Sequence, residues 1–418
     1  MKLSRFGKKF SALSGIGQLM EDLGQAMAQG DMIMLGGGNP AHIPEIEKVF
    51  RHSMEAIMQK AGAFESIVGN YDNPQGNAAF TEALARLMNT NYGWNIGPEN
   101  IALTNGSQTA FFTLFNMFAG ESEDGKRRKI LFPLAPEYIG YADLGLEADT
   151  FTALKPEIEF LDAPFFKYHI DFDRLQIDDS IGALCVSRPT NPTGNVLTND
   201  EVQKLAALAR EADVPFILDN AYGLPFPQII FADDATPYYD DNTIVCMSLS
   251  KLGLPSTRTG IVIAREEIIQ FLAGMNAIIG LAPTGIGASI VQDIIESGEI
   301  LDISRNVIRP WYEQRADMAV EVFLKNLTVM DFYIHKPEGA LFLWLWFPDL
   351  PLTSAELYER LKKRGVLVVP GHYFFPGLEG DDWPHIHQCI RVSYAQDEKV
   401  VCRGIEIICD EVRSLKKK

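Results

Sequence analysis

With 418 residues, 47% of them hydrophobic, the chain has material for roughly two to three domains around a large packed core. Its 55 acidic against 37 basic residues leave a formal net charge of -18, which opposes phosphate backbones and anionic membranes and excludes nucleic acid as a partner. The five cysteines (Cys185, Cys246, Cys389, Cys402 and Cys409) are odd in number and never spaced C-x-x-C, so they read as reduced thiols of a cytoplasmic protein.

The N-terminal stretch MKLSRFGKKF is basic, but no apolar core and cleavage site follow it, so export is not expected. Between about residues 100 and 264, short β-branched apolar runs alternate with helical patterns, the signature of a mostly parallel sheet covered by helices on both faces. Strands are expected at Ile101 to Leu103, Ile130 to Phe132, Ala183 to Val186, Phe216 to Leu218, Ile244 to Met247 and Gly260 to Ala264. The run Lys126, Arg127, Arg128, Lys129 ahead of the second strand reads as a solvated loop. Thr198 and Glu201 form a capping-box pattern before Val202, Leu205 and Leu208, and Pro215 opens the next strand, which puts Asp219 at a strand's C-terminal end. Ligands of open α/β sheets bind outside such ends, so Asn105 to Gln108, Tyr138, Asn191, Asp219 and Lys251 are site candidates. Beyond Ser304 come a long helix, strands near Phe332 and Leu341, a helix from Ala355 and an amphipathic helix ending in Lys416 to Lys418. The apolar run Ala340 to Phe347 falls far short of the ~20 residues that a spanning helix needs, and no membrane association is expected. The chain therefore divides into an N-terminal arm with part of a small domain over 1–48, a large domain over 49–304 and a smaller C-terminal domain over 305–418.

Two clusters admit rival readings. GGGNP lacks the G-x-G-x-x-G spacing and following helix of a dinucleotide site. His372, His385, His387 and Cys389 invite a metal, yet His-Ile-His on an extended segment has no carboxylate shell, so structural histidines and no metal are expected.

Five segments in order, NGSQ at Asn105, NPTG at Asn191, DNAY at Asp219, SLSK at Ser248 and IRVSY at Ile390, resemble the class I/II pyridoxal-phosphate (PLP) aminotransferases of fold type I. LGGGNP at Leu35, NYDNPQG at Asn70 and PEGALF at Pro337 extend the resemblance over nearly the whole chain. It implies an α/β fold whose large domain holds a mostly parallel seven-stranded sheet between helices, joined to a smaller α+β domain. The implied activity is ping-pong amino-group transfer between amino acids and 2-oxo acids, with PLP as cofactor.

The same resemblance assigns roles. Lys251 would hold PLP as a Schiff base, a role that suits an amine kept neutral by partial burial and a nearby cation. Asp219 would keep the pyridine nitrogen protonated. Tyr222 and Asn191 would bond the ring's phenolic oxygen, and Tyr138 would stack on its face. Gly106, Ser107 and Gln108, where a strand meets a helix, would cradle the phosphate with Ser248 and Arg258. Arg258 follows Lys251 by seven residues where many relatives have eight. Tyr71 would reach the phosphate of a neighbouring subunit, implying a homodimer with shared active sites; a turn tyrosine is the other reading. Arg391 would clamp the substrate carboxylate in bidentate fashion, with Asn191 and a backbone donor from Gly38 beside it.

The wording of LTNGSQTAFF, LAPEYIGYAD, SRPTNPTGN, DNAYGLPFP and SLSKLGLPSTR narrows the resemblance to a branch that converts L-valine and pyruvate into 3-methyl-2-oxobutanoate and L-alanine, linking alanine and branched-chain amino-acid metabolism. Lyases and cyclopropane-forming synthases share the scaffold, and so do effector domains of transcription regulators. The acidic charge and the lack of an N-terminal winged-helix pattern weigh against the last.

Overall fold

The computed structural model describes residues 1–11, 17, 21, 24 and 32–416, apart from 148, 329 and 330. Lys417 and Lys418 of the terminal lysine run lie outside the described residues, as does most of 12–31 in the N-terminal arm. Strands in chain order are β1 (Ile33–Met34), β2 (Ile101–Asn105), β3 (Gly120–Glu121), β4 (Arg127–Phe132), β5 (Phe151–Ala153), β6 (Glu157–Phe160), β7 (Phe165–His169) and β8 (Ile181–Ser187). They continue with β9 (Phe216–Asp219), β10 (Thr243–Ser248), β11 (Thr259–Ile263), β12 (Tyr333–His335), β13 (Phe342–Trp346), β14 (Val366–Leu367), β15 (Val369–Pro370) and β16 (Cys389–Ser393).

The central sheet runs β2-β11-β10-β9-β8-β4, with β3 and β5 both paired to β4. It holds the seven strands expected plus the two-residue edge strand β3. β5, β4, β8, β9 and β10 are mutually parallel, whereas β11 is antiparallel to both its neighbours. Every residue of β8 is buried, as in a strand covered on both faces. Alternation divides the sheet's side chains between two cores: Ile101, Leu103, Val245, Met247, Ile261 and Ile263 face one, Ala102, Ile244, Cys246 and Val262 the other. The helix Asn199–Glu211 starts at the anticipated capping box, with the Glu201 N–H donating to Thr198 Oγ1 at 3.1 Å and the Thr198 N–H donating to the Glu201 carboxylate at 2.8 Å.

One local expectation is corrected. Arg127, Arg128 and Lys129 belong to β4 rather than to a solvated loop. Acidic neighbours neutralise the run: Arg127 pairs with Glu147 and Asp149, Arg128 with Asp124, and Lys126 with Asp179.

A second sheet, β15-β16-β13-β12-β7-β6, gathers the C-terminal strands. β6 and β7 precede residue 305 yet pair into it, with β7 parallel to β12. The buried ion pair between Lys167 of β7 and Glu338 fastens this junction, and Lys167 also donates to the Val196 carbonyl at 3.1 Å. The long helix expected after Ser304 spans Arg309–Asn326, and the final helix spans Glu398–Lys416. β1 pairs with β14, bringing the segment before Leu35 alongside the C-terminal part. Among the described residues no helix is long and apolar enough to cross a membrane. None of the five cysteines is paired, and no group of three or more His, Cys, Asp or Glu among the described residues could hold a metal.

Candidate active site

Ser187, Asp219 and Ser248 are the last residues of β8, β9 and β10, and Asn105 is the last of β2. Parallel strands thus deliver polar groups to one end of the sheet, and the register sets Asp219 between Ser187 and Cys246. A cavity of about 310 Å³ opens there. Gly38, Ser107, Gln108, Tyr138, Asn191, Asp219, Tyr222, Ser248, Lys251, Arg258 and Arg391 all line it. Residues separated by hundreds of positions in sequence meet in one space.

Lys251 follows β10 on a tight turn, and its Nζ donates to the Gly38 carbonyl at 2.5 Å while lying 5.2 Å from the centre of the Tyr222 ring. Burial lowers the Lys251 ammonium to about 8, and the Arg391 guanidinium adds to the effect. Gly38 therefore differs from expectation: its carbonyl faces the lysine. An ideal Cβ at Gly38 would lie 3.9 Å from Nζ, an ordinary van der Waals contact, so the carbonyl and not the missing side chain is what Gly38 brings to the lysine.

Asp219 is buried, and burial raises its carboxyl to about 6. Three groups oppose that shift: the Tyr141 hydroxyl, donating at 2.5 Å, the Ala221 N–H at 2.8 Å, and the Lys251 charge. Glu137 lies behind it, accepting from the Ser187 N–H at 2.8 Å and hydroxyl at 2.5 Å and from the Tyr138 N–H at 3.2 Å. Burial pushes Glu137 up to about 8, so it stands protonated or nearly so beside a carboxylate.

Arg391 is the central residue of β16, and its neighbours β13 and β15 hold it in register with Trp344 and Val369. Its guanidinium lies 3.9 Å from the centre of the Phe342 ring and 5.1 Å from that of Phe374. Nη1 donates to Asn191 Oδ1 at 2.7 Å and Nη2 to the Gly36 carbonyl at 2.8 Å, while the buried Nε has no partner among the described residues. Burial lowers its pKa to about 10. No carboxylate pairs with Arg391 among the described residues. A buried cation without a counter-ion and with a donor to spare is built to receive an anion.

At the other end, the helix Ser107–Phe118 points its N-terminus at the cavity, and no side chain caps it. Such a terminus offers unpaired N–H groups and a positive pole to an anion. Gly106 has φ +84, and a Cβ there would run into the Arg258 guanidinium, so glycine lets Arg258 close over the helix start. Ser248 Oγ accepts from the Ser250 N–H at 3.0 Å, and both residues line the cavity. These residues fit a phosphorylated pyridine aldehyde: an open helix N-terminus and Arg258 for phosphate, Asp219 for the ring nitrogen, Lys251 for the aldehyde.

Gly106 does not line the cavity, and Tyr71 is 84% exposed and does not line it either. The sequence reading missed Tyr141, Glu137, Ser187, Gly36, Phe342 and Phe374. For Tyr141 and Glu137 the signal was present in LAPEYIGYAD, where two more polar residues flank Tyr138.

Comparison with known proteins places the chain among related molecules. The family model described as aminotransferase class I and II matches residues 30–408. The chain is 51% identical over 412 residues to valine–pyruvate aminotransferase of Escherichia coli (strain K12), covering 99% of this chain and 98% of the relative. It resembles the crystal structure of a putative amino-acid aminotransferase from Psychrobacter arcticum 273-4, with a TM-score of 0.97, 47% identity and full coverage of both chains. The valine–pyruvate aminotransferase of Salmonella typhimurium LT2 superposes with a TM-score of 0.89 at 50% identity, over 96% of this chain and 100% of that one.

Proposed function

Because the chain belongs to the class I and II aminotransferases, a PLP-dependent family of fold type I, we propose that it moves an amino group between L-valine and pyruvate, yielding 3-methyl-2-oxobutanoate and L-alanine. The geometry that carries the assignment is the meeting, in one cavity, of a buried amine of lowered basicity, Lys251, and a buried guanidinium without a counter-ion, Arg391. The valine–pyruvate pair rests on the 51% identity to the Escherichia coli enzyme. Among the described residues, Arg258, Lys251 and Arg391 are the only Lys or Arg side chains lining the cavity, and each already has a role there, which favours substrates with neutral side chains.

Bound PLP supplies an electron sink that makes the substrate Cα–H acidic. Arg391 fixes the substrate carboxylate with its two outer nitrogens, and Asn191 holds that guanidinium in plane. Lys251, neutral in a useful fraction near pH 8, would take the proton from the substrate Cα and carry it to the cofactor's C4′ carbon. Asp219 would stabilise positive charge at the ring nitrogen, and the Tyr141 hydroxyl favours the ionised Asp219 that this needs. Tyr222 and Asn191 would bond the ring's phenolic oxygen, Tyr138 would cover the ring face, and Ser107, Gln108, Ser248 and Arg258, which line the same cavity, would hold the phosphate.

The functional unit in this reading is a cytoplasmic homodimer. Tyr71 lies outside its own chain's cavity, and the adjoining helix Glu266–Gly280 exposes Phe271, Ile278 and Ile279, with Leu281 beyond. Asn276 of that helix donates to the Pro74 carbonyl at 2.8 Å, which ties the loop bearing Tyr71 to the helix that carries the apolar face. A second copy would cover it and place Tyr71 at the partner's phosphate site.

The test mixes PLP-loaded protein with L-valine, follows the visible absorbance, and then adds pyruvate. Release of 3-methyl-2-oxobutanoate in the first step and of alanine in the second is expected. Lys251→Ala should lose both, and transamination by that variant refutes the role of Lys251. Mixed dimers of Tyr71→Ala and Lys251→Ala should regain activity if the sites are shared.

A further inference from the structure

We propose that Ile139 sets the length of side chain the enzyme accepts, acting as the partition between the cofactor cavity and a second cavity that longer substrates would need. The inference rests on the aminotransferase reading above and deepens it.

The second cavity, about 320 Å³, lies against the first, and among the described residues Ile139 is the one that lines both. Its walls carry Phe375, Leu378 and Ile386 beside the carboxylates of Asp143, Glu379 and Asp381, an apolar patch with a polar rim that a longer side chain would reach. Ile139 is only 3% exposed, so it closes the passage as a packed wall.

The position of Ile139 relative to the reacting atoms follows from its neighbours. It succeeds Tyr138, which feels the Arg391 charge, and the preceding Glu137 N–H donates to the Phe374 carbonyl at 2.8 Å. Phe374 in turn flanks the Arg391 guanidinium at 5.1 Å. Ile139 and Arg391 line the same cavity, so a substrate held by Arg391 shares that space with Ile139. Phe111, which also lines it, packs on Tyr141 at 4.9 Å behind Asp219. Beside the small Ala221 and Pro255, Ile139 is the longest aliphatic side chain among the described lining residues. Packed interiors resist even one extra methylene, so a β-branched wall in that position admits a short side chain and rejects a longer one.

Single-turnover kcat/KM is measured for the PLP-loaded wild type, Ile139→Val and Ile139→Ala with L-valine, L-leucine, L-methionine and L-phenylalanine as donors. The ratio of longer donor to valine is expected to rise by about tenfold or more in Ile139→Ala, and by a smaller factor in the same direction in Ile139→Val. A ratio within twofold of wild type in both variants, or a fall, overturns the proposal. Should Ile139→Ala fail to bind PLP, judged by its visible absorbance, Ile139→Val alone decides. Wild-type turnover of valine tests the substrate reading independently: if it is absent, the same ratio is taken against the shortest donor accepted, so the two ideas fail separately.

Discussion

Tyr141→Phe isolates one oxygen atom. The Tyr141 ring stacks on Phe132 at 5.6 Å and packs on Phe111, contacts that phenylalanine keeps, while the hydroxyl donates to Asp219. A hydrogen bond to a buried charge contributes ~1.5–3 kcal/mol, or roughly one to two pKa units at 1.36 kcal/mol each. Asp219 already stands at about 6 because burial disfavours its charge. Without the donor it should titrate at roughly 7–8 on the same arithmetic. At pH 7 the variant's carboxylate would then be roughly half to nine-tenths protonated, and the protonated fraction cannot hold a protonated pyridine nitrogen. We predict that PLP binds about two- to tenfold more weakly at pH 7 but recovers toward wild-type affinity at pH 9, where Asp219 is ionised in both proteins. Equilibrium dialysis across that pH range, read by the visible absorbance of bound cofactor, measures it. A wild-type dissociation constant at pH 7, or a deficit that persists unchanged at pH 9, refutes the reasoning that Tyr141 acts by keeping Asp219 charged.

Arg391→Lys keeps the charge but loses the planar fork between Phe342 and Phe374; kcat/KM for L-valine should fall roughly 30- to 150-fold, mainly through KM, on ~2–3 kcal/mol for the charge-assisted pair. An unchanged KM places the substrate carboxylate elsewhere. Gly106→Ala forces a Cβ into the Arg258 guanidinium at a left-handed φ, so affinities for PLP and for inorganic phosphate should both drop by about tenfold, from ~1–2 kcal/mol of strain; unchanged phosphate affinity removes this residue from the cradle. Burial holds His335 and His385 neutral, lowering both to about 3. Their folded pKa lies below the unfolded value of ~6.5, so their contribution is complete above that pH and is lost as pH falls toward about 3. Chemical denaturation should show stability declining from pH 6.5 to 4.5, with a shallower decline in His335→Gln; equal slopes would show that His335 does not titrate on unfolding.

The local grammar of the chain determined much of this protein. Asp219 ends a four-residue apolar strand after Pro215, and Lys251 sits in the turn after β10. Both positions are fixed by covalent neighbours and by the alternation of buried strands, so they could be read in order along the chain. The capping box at Thr198 and the glycine opening the Ser107 helix are likewise contacts over a few residues, where backbone geometry leaves few options. What the tertiary structure decided are the pairings across distance: Tyr141 with Asp219, separated by 78 positions, and Gly36 with Arg391, separated by 355. The placement of β6 and β7 beside β12 is of the same kind, because strand partners are chosen by shared burial and not by proximity in sequence. So is the role of Ile139 as a wall, which in sequence is one isoleucine among many. Burial also sets the lowered basicity of Lys251 and the raised pKa of Asp219, since desolvation exists only once the surrounding residues have closed over the charge.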